Sequence, residues 1–465
     1  MPSTPDLAAA PDTRVRVPGG RRRSTQGLRN LELALLVFAV AIFFAAILLV
    51  QLGASGGFDF NVITMPAIIA ALTFCVHIVL RFIAPQADPF ILPIAMTLNG
   101  IGISMLYRLD LAHVAAGEES GFASAQMIYT AVGVVMAIIV LFLLKNHRVL
   151  LRFMYISMAL AILLLLLPLV PGLGDHDAAA RVWISIGPFN FQPGEIAKIA
   201  LAVFFAGYLV TARETLSVVG TKFLGIQFPR LRDLAPIMVV WAVCMGVLVF
   251  QRDLGTSMLY FGLFLVMMFV ATGRISWIVI GLVLVAIGGV LAYNFMGYVN
   301  FRVHAWLDPF DPEMIDASGG SYQLLQSLYG LANGGLIGQG LGQGRPLITP
   351  VAESDFIISA LGEELGLAGL FVIFSLYLIL VARGFRIGHQ GIDDFGRLLA
   401  MGLSFTIAWQ VFIVVGGVTR VIPLTGLTTP FLAAGGSSLL ANWIIVAILL
   451  RLSDTVRQTP VEDRE

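Results

Sequence analysis

Twelve stretches of this chain are almost continuously apolar, near residues 31–52, 62–83, 89–107, 124–144, 150–170, 195–211, 234–250, 254–272, 275–296, 356–382, 396–419 and 433–451. A helix needs about 20 apolar residues to cross the hydrocarbon of a bilayer, and each run is close to that length. No water is available there to satisfy an open backbone, so only helices and closed barrels can span. Barrel strands read as short alternating segments, unlike these runs. Composition agrees, with 58% of the residues hydrophobic and 12% charged, against roughly 25% charged in soluble domains. The expectation is an all-α polytopic membrane protein with about 12 transmembrane helices. A soluble enzyme, a disordered chain and an outer-membrane barrel are excluded. So is a disulfide scaffold, because the two cysteines, Cys75 and Cys244, both lie in apolar runs.

Charge then orients the spans. Basic residues are expected on the cytosolic side, and an even number of spans puts both termini there. With Arg14, Arg16, Arg21, Arg22, Arg23 and Arg29 of a disordered basic tail (1–30) inside, every other basic cluster also falls inside. These are Lys145 with Arg148 and Arg152, Arg213 to Arg232, Arg383 to Arg397, and Arg451 with Arg457. The first apolar run is too long for a signal-peptide core and should remain as an anchor. Outside, arginines stand singly: Arg108, Arg181, Arg252, Arg302, Arg345 and Arg420. The formal net charge is zero, so no global field argues for nucleic acid. The longest connection, 297–355, falls outside between the ninth and tenth spans, and loops of that length are usually functional. Its stretch Tyr322 to Tyr329 predicts a short helix lying on the membrane surface.

Charges within or beside spans are costly and therefore informative. Glu195 and Lys198 open one span after Gln192-Pro193-Gly194, and their i, i+3 spacing places them on one helical face. Their bland reading is a helix start with a carboxylate in its first turn. Gln251-Arg252-Asp253-Leu254-Gly255-Thr256 forms a corner where Asp253 suits an N-cap. Glu363 and Glu364 sit in apolar surroundings and point about 100° apart, so each should meet a different neighbour, Lys198 or a lone outside arginine. Asp308-Pro309-Phe310-Asp311-Pro312-Glu313 concentrates carboxylates that could hold a divalent cation or supply a general base. A solvated loop is the plain alternative. The glycine-rich Gly334 to Gly344 lacks the context of a Rossmann or P-loop motif and supports only a flexible loop or close approach to a ligand. Gly435-Gly436-Ser437-Ser438 reads first as a small-residue packing site. The histidines have no metal-ligand spacing.

Taken together these blocks resemble the SEDS family (shape, elongation, division and sporulation), the RodA/FtsW type of peptidoglycan glycosyltransferase. The matching blocks are Phe191 to Lys198, Asp253 to Thr256, Leu307-Asp308-Pro309 through Tyr322-Gln323, Ser354-Asp355-Phe356 through Gly366, and Gly435 to Ser438. The resemblance covers 89–452, with 31–88 supplying two additional transmembrane helices, a form similar to actinobacterial RodA, and 453–465 a cytosolic tail. It implies a bacterial cytoplasmic-membrane enzyme that polymerises lipid II, the undecaprenyl-pyrophosphate-linked disaccharide peptide, for cell-wall elongation and cell shape. It also implies Mg²⁺ or Mn²⁺ dependence and a class B penicillin-binding protein transpeptidase as partner, among membrane lipids. The family's essential acid falls on Asp311, with Asp308 as rival because the spacing between the two Asp-Pro pairs is one residue short; both are candidate metal ligands. Arg181, Gln192, Lys198 and Arg252 become candidates for the substrate pyrophosphate. Glu195, Asp253, Asp355, Glu363, Glu364, Ser437 and Ser438 become the supporting network. Gly194, Arg252, Glu353 and Ala433-Ala434 depart from the family pattern and bear on fine substrate contacts. The alternatives are a flippase or transporter of a lipid-linked precursor, whose midplane sites and internal repeats are not evident here, and a division-type polymerase.

Overall fold

The computed structural model describes residues 25–57, 59–174, 180–186, 189–212, 222–223, 226–227, 231–391 and 393–458. The tail arginines before Thr25, together with Arg213, Arg230 and 459–465, lie outside the described residues. Every apolar run is a helix. The helices are α1 (Thr25–Ser55), α2 (Thr64–Ile83), α3 (Ile91–Ala115), α4 (Phe122–Leu143), α5 (Arg148–Arg152), α6 (Met154–Leu166), α7 (Pro193–Thr211), α8 (Leu231–Gln251), α9 (Leu254–Thr272) and α10 (Ser276–Phe295). They continue through α11 (Gly297–Leu307), α12 (Pro312–Asp316), α13 (Tyr322–Gly334), α14 (Ile357–Gln390), α15 (Asp394–Val418) and α16 (Gly436–Gln458). Among the described residues ten helices are long and apolar enough to cross a membrane, and shorter apolar helices, Met154–Leu169 and Trp241–Gln251, occupy the other two expected positions. The chain is a multi-pass membrane protein. Two small antiparallel hairpins accompany the helices: β1 (Ile184–Ile186) with β2 (Phe189–Phe191), and β3 (Lys222–Phe223) with β4 (Ile226–Gln227).

The core lies around α3, which is 94% buried over its apolar window, whereas α10 at the periphery is only 6% buried. The difference follows from sequence. Asn99, Ser104 and Arg108 of α3 need protein partners, while α10 carries an unbroken apolar surface suited to lipid. Small residues allow the closest approaches, as expected where lipid supplies no hydrophobic drive between helices. A Cβ at Gly133 of α4 would sit 2.5 Å from the Trp443 ring of α16. At Gly436 it would sit 2.5 Å from the Tyr129 ring, bearing out packing at that motif.

At one end of the bundle Asp88 joins three elements. Its carboxylate accepts from Arg457 of α16 at 2.6 Å and pairs with Arg383 of α14. Asp454 accepts from the Gln86 N–H at 2.8 Å, and Arg29 of α1 pairs with Glu32 at 2.7 Å and donates to the Ala87 carbonyl.

At the other end, α14 is not continuous. Gly366 has φ 68° and ψ −175°, which breaks the helical ladder. The glycine-rich segment repairs it. Gln339 and Gly340 N–H groups donate to the carbonyls of Glu363 and Glu364, each at 2.9 Å, and Leu367 and Ala368 N–H groups donate to Gly335 and Leu336, each at 3.0 Å. A Cβ at Gly338 would lie 2.2 Å from the Glu364 carbonyl oxygen. The glycines therefore serve close approach of backbone to backbone, which corrects the reading of this stretch as a flexible loop or ligand contact. The helix expected at Tyr322 to Tyr329 extends to Gly334 and packs on α14, with Ser327 Oγ 2.5 Å from Ser359 Oγ.

Candidate active site

The first charged group is internal. Pro193 starts α7, its fixed φ suiting the first helical position, and the Gln192 N–H donates to Ser437 Oγ at 2.8 Å. That ties the head of α7 to the head of α16, where Ser438 in turn accepts from Asn442 at 3.3 Å. One turn on, Lys198 Nζ donates to Glu195 Oε2 at 2.5 Å and to Gln410 Oε1 of α15 at 2.9 Å. Gln410 Nε2 donates to the Thr428 carbonyl at 2.9 Å and approaches Glu195 Oε1 at 3.4 Å. Lys198 is 1% exposed and Gln410 0%, so this is a desolvated pair with its remaining polar atoms satisfied, the condition under which such a pair persists. Tyr260 of α9 donates to the Gly194 carbonyl at 2.6 Å and closes the group.

A second group forms the rim. Asp253 caps α9 by accepting from the Thr256 N–H at 2.9 Å, as its position before the helix suggests. Arg252 just before it adopts φ 58°, rare for a residue with a Cβ, and its side chain is exposed. Arg181 is half-buried and its N–H donates to the Gln251 carbonyl at 3.0 Å. Arg302 of α11 donates to the Leu424 carbonyl at 3.1 Å and stands near both Asp253 and Asp355. Burial pushes the Asp355 carboxyl up to about 6, against the opposing Ser354 hydrogen bond and Arg302 charge. Burial raises Asp253 as well, and the Glu195 charge adds to that, so the rim and the internal pair are electrostatic neighbours.

The third group is the acidic turn. Asp308 ends α11, its N–H donating to the His304 carbonyl at 2.9 Å, and is exposed. Asp311 caps α12 by accepting from the Glu313 N–H at 3.0 Å and is half-buried. Arg420 fixes this turn. It donates to the carbonyls of Trp306 at 2.9 Å and Leu307 at 2.8 Å, and Trp306 Nε1 returns a bond to the Arg420 carbonyl at 3.1 Å. Asp308 follows Arg302 by six residues, about 9 Å along the helix axis. No hydrogen bond or ion pair joins Asp308 or Asp311 to Lys198, Glu195 or Asp355 among the described residues.

Glu363 and Glu364 form the fourth group. Glu364 pairs with Arg108 at 2.8 Å and accepts from the Gly342 N–H at 2.9 Å. Glu363 accepts from Asn333 at 2.9 Å and from the Arg345 N–H at 3.1 Å. Of the two partners expected, the lone arginine is present, and Lys198 is taken by Glu195 instead. Both carboxylates therefore fasten the glycine-rich segment.

Among the described residues no three His, Cys, Asp or Glu side chains converge on a metal position. That excludes an all-protein cage there, yet suits a hard cation that keeps its water and joins one or two carboxylates to substrate phosphate. Asp308, exposed, and Asp311, half-buried, are the carboxylates expected there from the sequence, on a turn whose preceding carbonyls Arg420 holds. Sequence reasoning passed over Gln410 and Tyr260. Only the lone glutamine in an apolar span gave a signal.

A family model described as cell cycle protein, covering FtsW, RodA and SpoVE, matches residues 88–458. The chain belongs to this family. Peptidoglycan glycosyltransferase RodA of Mycobacterium tuberculosis is 45% identical over 448 residues, spanning 96% of this chain and 95% of the relative. RodA of Mycobacterium leprae is 43% identical, spanning 94% and 92%. A probable peptidoglycan glycosyltransferase FtsW of Geobacter metallireducens is 35% identical, spanning 80% and 96%. Among solved structures, a chain of a peptidoglycan synthase complex coordinating polymerization and crosslinking superposes with a TM-score of 0.63 at 25% identity, over 80% of this chain and 99% of that one. Thermus thermophilus rod shape determining protein RodA superposes at 0.53 with 23% identity, over 80% and 98%. The family model begins at residue 88, so α1 and α2 precede the RodA/FtsW core.

Proposed function

We propose that this chain is a peptidoglycan glycosyltransferase that polymerises lipid II at the outer face of the bacterial cytoplasmic membrane, for cell-wall elongation. The glycosyltransferase activity is the one named for relatives 45% identical across nearly the whole chain. The observation that carries the mechanism is the Asp308–Asp311 turn, whose preceding carbonyls, Trp306 and Leu307, are held by Arg420. In the transfer, an acceptor sugar hydroxyl attacks the anomeric carbon of the donor. A carbon–oxygen bond forms, the bond to the pyrophosphate breaks, and the hydroxyl proton goes to Asp311 as general base. Arg252 and Arg181 stabilise the leaving pyrophosphate by electrostatic attraction. When bound, a Mg²⁺ or Mn²⁺ ion at Asp308 and Asp311 supplies further neutralisation of that charge. Lys198, buried and paired, acts by positioning: it neutralises Glu195 and fixes α7 against α15 beneath the rim.

The distribution of basic residues supports both termini on the cytosolic side, with the acidic turn outside. A class B penicillin-binding protein is the natural partner for crosslinking the new strands, as the synthase complex among the structural neighbours suggests. Purified protein with lipid II and Mg²⁺ is expected to yield glycan strands on a gel, and Asp311→Ala to yield none. Undiminished polymer from that variant rejects the general-base assignment. Transbilayer movement of lipid II without polymer from the wild type rejects the activity in favour of a flippase.

A further inference from the structure

Apart from the acidic turn, the structure holds a pocket of about 580 Å³ between the end of α1, the last turns of α3 and the stretch after the glycine-rich segment. That volume is in the range of small-ligand sites. Its walls come from Ser55, Arg108, Leu111, Ala115, Arg345 and Ile348, among others. The α1 wall is fastened closely. A Cβ at Gly53 would lie 2.2 Å from the Leu341 carbonyl oxygen, and Gln343 Nε2 donates to the Gly53 carbonyl at 2.7 Å. α1 precedes the family core, so the wall made by Ala54 and Ser55 is an addition to it, while the rest of the lining belongs to residues 88–458.

The polar side of the pocket is cationic. Arg108, 7% exposed, gives Nε to Glu364 at 2.8 Å and one terminal nitrogen to the Gly344 carbonyl at 2.8 Å. Among the described residues its other terminal nitrogen has no protein acceptor, and Arg345 is exposed with a guanidinium that makes no ion pair. Among the described residues the carboxylates bonded beside them are engaged. Glu364 is held by Arg108 and Gly342, Glu363 by Asn333 and the Arg345 backbone, and Asp110 by Ser120 and the N–H groups of Phe122 and Ala123. The rest of the wall is mainly apolar, with Leu111, Val114, Ala115, Leu347 and Ile348, and it lies where α1 and α3 end.

We propose that this pocket binds an anionic phospholipid, its phosphate on Arg108 and Arg345 and the start of its acyl chains against Leu111 and Ile348. The guanidinium fork matches phosphate oxygens in pairs, and the apolar floor excludes a free soluble anion as the best occupant. A lipid seated there bridges α1 to the loop that repairs the break in α14.

Native mass spectrometry of the full chain, titrated with phosphatidylglycerol or with phosphatidylcholine of the same acyl chains, tests this. Phosphatidylglycerol is expected to be retained about fivefold more tightly, the increment of one arginine near a charged lipid. Arg345→Glu should remove that preference, and Ala115→Trp, which fills the pocket without changing charge, should lower retention similarly. Arg386→Glu, at the far end of α14, should leave it intact. Equal binding of the two lipids, an unchanged preference in Arg345→Glu, or an equal loss in Arg386→Glu overturns the site. Displacement of bound phosphatidylglycerol by an equimolar polyprenyl phosphate overturns the choice of phospholipid. All readouts are of binding, so they are independent of the polymerisation reading.

Discussion

At the scale of single residues, the internal group shows what a buried charge requires. Lys198 and Glu195 coexist because Gln410 and the Thr428 carbonyl complete their hydrogen bonds. Lys198→Met leaves Glu195 buried without a counter-charge, a loss of about 3–5 kcal/mol. Thermal unfolding in detergent should show it, and adding Glu195→Gln should recover part. Asp355 gives a pH dependence. Its carboxyl rises from the ordinary 3.8 to about 6 in the folded chain, so the folded state binds more protons between those values. Stability therefore falls as pH rises from about 4 to 6 and levels off above, and Asp355→Asn should flatten that slope in unfolding curves measured across pH. Glu195, Lys198 and Asp253 were legible in the sequence because a charge beside an apolar run stands out. Gln410 gave a weaker signal, a lone uncharged polar residue in an apolar span, and its partners Lys198 and Glu195 lie more than two hundred positions away.

Among elements, the broken α14 and the glycine-rich segment explain one another. Each alone was visible: two adjacent glutamates in apolar sequence, and a run of glycines without a known motif. Their pairing was hidden because it is set by backbone geometry across the intervening turn, which no periodicity records. It makes a specific prediction for Gly338, which has φ 88° and a Cβ position 2.2 Å from the Glu364 carbonyl oxygen. Gly338→Ala should cost about 1–3 kcal/mol in strain alone. Limited proteolysis should then cut near 338–344, where the wild type resists. The length of the acidic loop stood out in the sequence, though its anchoring by Arg420 did not, because a lone arginine has several possible partners until the fold selects one.

For the whole molecule, the order of the apolar helices was written in the apolar runs, ten of them long enough to span among the described residues where about 12 were expected, and the charge pattern gave their expected sides. Apolar packing of Leu36, Phe43, Ile47 and Leu80 joins the added α1 and α2 to the core, and a polar knot closes one end. Asp88, 1% exposed, receives arginines from both α14 and α16, while Arg29 reaches Ala87 from α1. Asp88→Ala leaves two guanidiniums facing each other without their anion, at about 3–5 kcal/mol. The expected result is a lower unfolding temperature and earlier hydrogen exchange in both α1 and the end of α16. The break at Gly366 has a further consequence, for biogenesis. A helix interrupted there cannot rest in lipid by itself without leaving backbone amides bare. The segment that satisfies them, 335–340, precedes it in synthesis. Docking of that segment is thus a condition for seating α14 in the membrane, and a chain in which the two fail to meet should be handed to quality control at that step.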